Sequence, residues 1–527
     1  MRVVRYLLLG LLLLSSGKAS AAPLSRLSVS GDRIVDTAGR TVVLHGVNLG
    51  RKNAPFLPDR GEADYAALER WGFNCVRFYL NWAAIEPEPG VYDAAFLEGV
   101  AQQVAWANAH GVYVLLDIHQ DLYSEKIPGG NGAPAWATLD DGQPHETTGG
   151  PWGVAYFTSP QVHQAFDSFW ANREGPGGVG LQDRFAAAAQ TLARHFADNP
   201  GVMGIDLYNE PGLGSDVTQV LPALMQAVPA LMALPDPPQG LLASLSSGDA
   251  LGQFEVISRR RDVYLWGVDA ITPVLQDFER AKLQPFYDRV GQAIRAVSPD
   301  LILVFEPPVL ANSGARSALR PLHAATGAPL PNQLYGAHAY DLVTDSDAVA
   351  EPSATRLSIM FERLAEHAAQ MQLPAVVGEW GAYYGNKQAR AAAQLVVAEF
   401  ERYRLGDLYW DYESNLSSKA YFDQLCRPYP QAVAGPLETW HFDQDARALH
   451  LVWQEAQAAT GPTRVYLPRV WFATRPEVQV DPASALTWQV IDGEDGGWLV
   501  DIAPGGSAVK RTLRAQPALQ SAAVESR

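Results

Sequence analysis

The hydrophobic positions of this chain follow two regimes. In the first, short β-branched and aliphatic runs alternate with longer stretches of helical period. The strand candidates are Val42 to Val47, Asn74 to Leu80, Val112 to His119, Val202 to Asn209, Leu301 to Glu306, Leu334 to His338, Ala375 to Glu379 and Leu408 to Tyr412. Amphipathic segments such as Phe96 to Ala109, Arg184 to Phe196, Phe278 to Val297 and Thr355 to Met371 lie between them. Eight such units predict an α/β fold, a (β/α)8 TIM barrel, over residues 23–426. A doubly wound sheet is the competing arrangement, but no Gly-rich GxGxxG turn follows an early strand. Beyond Cys426 the helical period disappears. Alternating runs at Ala448 to Trp453, Thr463 to Leu467, Leu486 to Ile491 and Gly497 to Ile502 predict a small C-terminal β-sandwich over 427–510, followed by a disordered polar tail at 511–527.

The N-terminus breaks both patterns. Arg2 and Arg5 precede an apolar run from Tyr6 to Leu14, and Ala19-Ser20-Ala21-Ala22 supplies small residues for cleavage. The run is about half of what a membrane span needs, so residues 1–22 read as a signal peptide and the mature chain as secreted or periplasmic. Export permits a disulfide between Cys75 and Cys426. However, Cys75 lies inside a predicted buried strand, which favours free buried thiols.

Composition narrows the function. The 527 residues are 47% hydrophobic and 18% charged, which excludes disorder and leaves room for one large and one smaller core. A net charge of -17, with no basic cluster longer than Arg259-Arg260-Arg261, excludes a phosphate-neutralising surface and hence nucleic acid as a partner. Fourteen Trp and twenty Tyr exceed what a core obviously needs and suit a site for sugars or apolar ligands.

Several strands end in ionisable residues, and in a barrel the C-terminal strand ends converge on one site. Two glutamates carry the chemistry. Glu210 ends the fourth strand in Tyr208-Asn209-Glu210-Pro211, and Glu379 ends the seventh in Val377-Gly378-Glu379-Trp380. Glycoside hydrolysis needs one protonated carboxyl for the leaving oxygen and one ionised carboxyl to attack or to activate water. Either glutamate alone reads as a surface ion pair; the two together read as a catalytic pair.

These motifs resemble family 5 of the clan A retaining glycoside hydrolases. The resemblance narrows to the endoglycoceramidase branch, with its related glucosylceramidases and steryl glucosidases. It does so through Asp117-Ile118-His119-Gln120-Asp121-Leu122-Tyr123-Ser124, Gly132-Ala133-Pro134-Ala135-Trp136 and Phe305-Glu306-Pro307-Pro308. It continues through Tyr429-Pro430-Gln431-Ala432-Val433-Ala434-Gly435 and Pro462-Thr463-Arg464-Val465-Tyr466-Leu467-Pro468. The resemblance implies that Glu210 is the acid/base and Glu379 the nucleophile. Arg77 and Tyr340 would then stabilise the nucleophile's charge, and Asn209 would donate to the sugar 2-hydroxyl. His119 and Asp121 would hold hydroxyls of the first sugar, and Trp410 would form its platform. Lys52 sits where the branch has a glycan-contacting lysine, although its neighbours differ and a solvated loop lysine is the alternative. His338 shares a strand face with Tyr340; a core histidine is its alternative. Glu306 stands outside the catalytic pair, and Trp136 and Trp380 join Trp410 and Tyr340 as candidate site aromatics.

His119, His338 and Asp121 are residue types that zinc could use, but their setting in a sugar-site motif argues against a metal, and two carboxyls need no cofactor. The resemblance, taken with the signal-like N-terminus, implies an exported retaining β-glycosidase acting on a glycolipid, a ceramide-linked glycan or single hexose, with peripheral contact to a membrane or micelle. The competing readings are a β-glucanase or mannanase of soluble polysaccharide, and a non-catalytic glycan-binding protein on the same fold. One stretch departs from the branch: between Gly212 and Phe278 an apolar insertion follows the fourth strand, either an acyl-chain-accepting lid or a helical subdomain that buries its residues against itself.

Overall fold

The computed structural model describes residues 24–145, 152–238 and 257–518. The expected signal peptide lies outside the described residues. Three short strands open the chain, β1 (Ser28–Ser30), β2 (Arg33–Val35) and β3 (Thr41–Val42). The barrel follows as β4 (His45–Gly50), β5 (Cys75–Asn81), β6 (Tyr113–His119), β7 (Val202–Asp206), β8 (Ile302–Phe305), β9 (Gln333–Ala339), β10 (Ala375–Gly381) and β11 (Gly406–Trp410). Every pairing between them is parallel, and β11 closes on β4. The strands read as near-continuous apolar runs because helices cover the outer face while the inner positions fill the barrel. Cys75 packs near Met203 and Cys426 near the Tyr466 hydroxyl, both as buried free thiols.

The C-terminal part is a pair of antiparallel sheets, as its alternating runs predict. One is β13 (Leu437–Asp443), β14 (Ala448–Glu455), β19 (Val509–Gln516) and β16 (Glu477–Asp481), in the order 13-14-19-16. The other joins β12 (Tyr429–Val433), β15 (Thr463–Pro468), β18 (Gly497–Ile502) and β17 (Leu486–Ile491) to β1, β2 and β3. Two expected boundaries therefore move. Residues 28–42 belong to the second domain's sheet rather than to the barrel, because the barrel's first strand begins only at His45. The expected disordered tail begins too early: β19 runs through Gln516 and pairs with β14 from Val509 to Ala515. Its apolar alternation is masked by Arg511, which is buried and paired with Glu455.

The described part of the insertion is mainly helical. A 3-10 turn, Gly214–Gln219, leads into the helix Val220–Met232, and a second helix, Arg261–Phe278, packs against it. The second helix passes through a π-helical turn, Glu279–Leu283, into Gln284–Arg295, so the insertion lengthens a barrel helix rather than standing apart.

Candidate active site

The site is built around one buried cation. Arg77 lies in the middle of β5 with none of its side chain exposed, and a guanidinium there has to be neutralised. It lies 3.0 Å from Asp117 Oδ1 and donates to Asp206 Oδ2 at 2.9 Å, Glu306 Oε1 at 2.9 Å and Glu379 Oε1 at 2.7 Å. Asn48, its register partner on β4, and Asn209 accept at 3.1 and 2.9 Å. One guanidinium cannot balance four carboxylates. Burial, with Glu306 alongside, pushes Asp206 well above the ordinary carboxyl range.

Glu379 sits on β10, where Arg77 meets Oε1 and the Tyr340 hydroxyl donates to Oε2 at 2.9 Å. Its charge is thus met on both oxygens. A Cβ at Gly378 would approach His338 Nε2 at 3.2 Å, which accounts for the glycine before it. Glu210 lies beyond the end of β7, its backbone at φ 42°, a left-handed conformation that disfavours side-chain-bearing residues. Its N–H donates to Glu306 Oε2 at 2.9 Å, and Gln120 Nε2 holds the carbonyls of Asn209 and Glu210 at 2.9 and 2.8 Å. The acid is thereby aimed back toward β10: carboxylate oxygens of Glu210 and Glu379, with a ring nitrogen of His338, lie within 4.8 Å of one another.

Environment separates these groups. Burial raises the Glu210 carboxyl, the neighbouring Glu379 and Glu306 raise it further, and His338 opposes part of the rise. Burial alone would depress His338, but Glu306 and Glu379 hold it well above an ordinary imidazole. Its Nδ1 lies 2.7 Å from Glu210 Oε1 and its Nε2 3.1 Å from Glu306 Oε1. Burial would raise Glu306 too, yet His338 and Arg77 bring it down to about 2. His338 therefore lies between two glutamates that favour its protonated form, and is not packed as an apolar-core histidine. Glu306 serves the backbone of Glu210 rather than the gap.

The remaining expected residues gather on one side of the gap. His119 Nδ1 is 2.7 Å from Asp117, and its ring stacks on Trp410 at 5.4 Å. Tyr79, which no sequence signal marked, stacks on the same indole at 5.1 Å. Lys52 is no free loop lysine: Nζ lies 2.6 Å from Asp121 Oδ2 and 4.4 Å from the Trp410 ring centre. Burial works against the Asp121 charge, but Lys52 and His119 hold this carboxyl far below its usual range. Asn209 Nδ2 donates to the Gln120 carbonyl at 3.0 Å. Trp380 is misplaced as a candidate site aromatic: it is fully buried, donating to Asp407 at 3.0 Å, because it faces the barrel's outer packing layer rather than the mouth. Trp136 packs edge-on against Trp82. Asn48, Asp117, Asp206 and Gln120 were missed. Their signal was a polar residue inside or just beyond an apolar run.

Comparison with known proteins bears on the family and the fold. The profile described as cellulase (glycosyl hydrolase family 5) matches residues 35–416, and that of the glycoside hydrolase family 5 C-terminal domain matches 427–507. Endoglycoceramidase I of Rhodococcus hoagii is 28% identical over 510 residues, covering 93% of this chain and 90% of that protein. A glucosylceramidase of Aspergillus fumigatus is 27% identical over 251 residues, 36% of this chain and 32% of its own. The solved structure of endo-glycoceramidase II from Rhodococcus sp. in complex with ganglioside GM3 is 28% identical, with a TM-score of 0.69, over 93% of this chain and 100% of that one.

Proposed function

The chain belongs to glycoside hydrolase family 5, and we propose that it is an exported, retaining β-glycosidase that cleaves the bond between a glycan, or a single hexose, and a lipid aglycone such as ceramide. The observation that carries the reaction is the approach of Glu210 and Glu379 to within 4.8 Å. Carboxyls roughly 5 to 5.5 Å apart serve double displacement, whereas inverting pairs stand roughly 6.5 to 9.5 Å apart to admit a water.

The division of roles follows from the surroundings. Glu379, met by Arg77 and Tyr340, is the nucleophile; its oxygen attacks the anomeric carbon as the glycosidic bond breaks. Glu210, kept protonated by burial, gives its proton to the departing lipid oxygen and then, as a base, takes one from the water that releases the sugar. Because His338 Nδ1 occupies Oε1, Oε2 is the oxygen that carries the transferable proton. Lys52, Asp121, His119, Asn209 and the Trp410 face supply donors, acceptors and a platform for the sugar. The lipid aglycone rests on the relatives: an endoglycoceramidase of nearly the same length and a solved relative holding ganglioside GM3. Export rests on the composition of residues 1–22.

The test incubates purified protein with glucosylceramide, lactosylceramide, a ganglioside and a soluble β-glucan. Release of intact oligosaccharide is the endo-acting outcome and glucose alone the exo-acting one; cleavage confined to the glucan overturns the lipid assignment. Glu379→Gln is expected to lower turnover at least about a thousandfold while leaving glycolipid binding within about twofold.

A further inference from the structure

The insertion carries a helix that the reaction does not use. Val220–Met232, flanked as far as Pro235, contains no charged residue. Only Leu231 of this helix is buried; it packs on Val263, with Leu234, Ile257 and Trp266 around them. Trp266 Nε1 donates to the Ala227 carbonyl at 2.8 Å, pinning one side to the helix Arg261–Phe278. The other side is a stripe at helical spacing, with Leu221 58%, Met225 50% and Met232 44% exposed. Among the described residues nothing covers it. At 13 residues the helix is too short to cross a bilayer.

Its position says what the stripe meets. The helix follows the strand that leads to Glu210, so it belongs to the face on which barrel active sites open. Among the described residues, eight of the eleven exposed large hydrophobic side chains lie on segments joining a barrel strand to its following helix, among them Trp152, Phe157, Leu342 and Tyr384. The apolar exposure is therefore concentrated on the catalytic face, where a lipid-linked substrate has to enter. An ordinary protein surface disperses such residues. A net charge of -17 gives no attraction to anionic headgroups.

We propose that the helix Val220–Met232 is an interfacial anchor. It lays Leu221, Met225 and Met232 into the surface of a neutral lipid bilayer or micelle and so holds the catalytic mouth against the glycolipid headgroups. This deepens, and rests on, the glycolipid reading above. Uncharged apolar side chains on a rigid base gain free energy by leaving water for the headgroup–acyl boundary.

The full chain and a Leu221→Gln, Met225→Gln, Met232→Gln variant are compared for cosedimentation with phosphatidylcholine vesicles containing glucosylceramide, and for turnover of a water-soluble aryl β-glucoside. The variant is expected to bind vesicles at least about tenfold more weakly and to show a comparably raised KM for vesicle-borne substrate. Its kcat and KM on the soluble glycoside should stay within twofold, which also certifies its fold. Unchanged vesicle binding overturns the anchor, as does a loss shared equally by the soluble substrate. A shift of the wild-type protein from dimer to monomer on substitution also overturns it, by making the stripe an interface between copies. Binding that requires phosphatidylserine overturns the neutral surface. If the wild type binds vesicles through the stripe but cleaves no lipid-linked glycoside, the anchor stands and the glycolipid reading falls.

Discussion

At the scale of single residues, the electrostatics of the site reduce to how two cations are shared among buried carboxyls. His338 touches Glu210 and Glu306 directly and lies 3.7 Å from Glu379. It is the group that keeps Glu210 from rising further. Replacing it by Gln removes a positive charge, so burial and the repulsion of Glu306 and Glu379 act on Glu210 unopposed. The alkaline limb of kcat/KM for an aryl glycoside, set by deprotonation of Glu210, is therefore expected to move upward in pH, with kcat reduced at neutral pH. A pH–rate profile checks this, and a downward shift contradicts the assigned pairing. Glu210 and Glu379 were legible in the sequence because each interrupts an apolar run at a strand end, where a barrel places its chemistry. Asp117 and Asp206 were not, although both lie in strands fully buried along their length. A carboxyl inside such a run announces that it has a partner but not which one, and the partner, Arg77, comes from a different strand. Trp380 fails for the opposite reason: it adjoins the nucleophile in sequence, yet strand alternation turns it to the other face.

At the scale of elements, the barrel strands were readable because burial on both faces leaves long apolar runs, and the C-terminal strands because burial on one face leaves alternation. What escaped was the strand hidden by a charge, as Arg511 hides β19; the helical stretch Phe278 to Val297 was legible, but not the π-helical turn in which its Glu279 is buried. Glu279 is fully buried; Ser317 Oγ donates to it at 2.7 Å, and the Ala318 N–H donates as well. Burial lifts its carboxyl to about 7 from an ordinary 4.5. With the folded value above the unfolded one, the folded state holds the proton more tightly. The stability from this group is complete below about pH 4.5 and is lost as pH rises through about 7. The shift corresponds to a ceiling of about 3 kcal/mol. Glu279→Gln keeps an acceptor for the loop and has no proton to lose. Urea unfolding at pH 5 and pH 8 should therefore show a smaller loss for the variant than for the wild type, and the variant the more stable of the two at pH 8. Equal losses would mean that Glu279 is ionised and solvated in the fold.

At the scale of the whole molecule, the second domain is wired to the nucleophile's strand. Asp407, on β11, is buried and accepts from Trp380, the residue after Glu379, at 3.0 Å. The same carboxylate is paired with His45 at 3.1 Å and with Arg427, two residues before β12. Beyond it the two domains share a wall: Tyr429 and Tyr466 donate to the carbonyls of Gly72 and Arg70 at 2.7 and 2.8 Å, and Trp71 donates to Asp495 at 2.6 Å. The strand β3 pairs with β12, so the segment before the barrel is stitched to the segment that follows it. An appended binding module would leave the barrel intact when removed; this one would not. Truncation after Cys426 strips Arg427 from Asp407 and leaves a buried carboxylate short of its cation, a loss of about 3 to 5 kcal/mol before the bared strand edges are counted. The truncated chain is expected to be insoluble or inactive. The milder Arg427→Met is expected to unfold at clearly lower urea concentration and to lower kcat on a soluble aryl glycoside more than it raises KM, because Trp380, and with it the β10 end that carries Glu379, loses its fixed partner. A soluble, fully active barrel after truncation would show that the wall between the domains contributes nothing to the site.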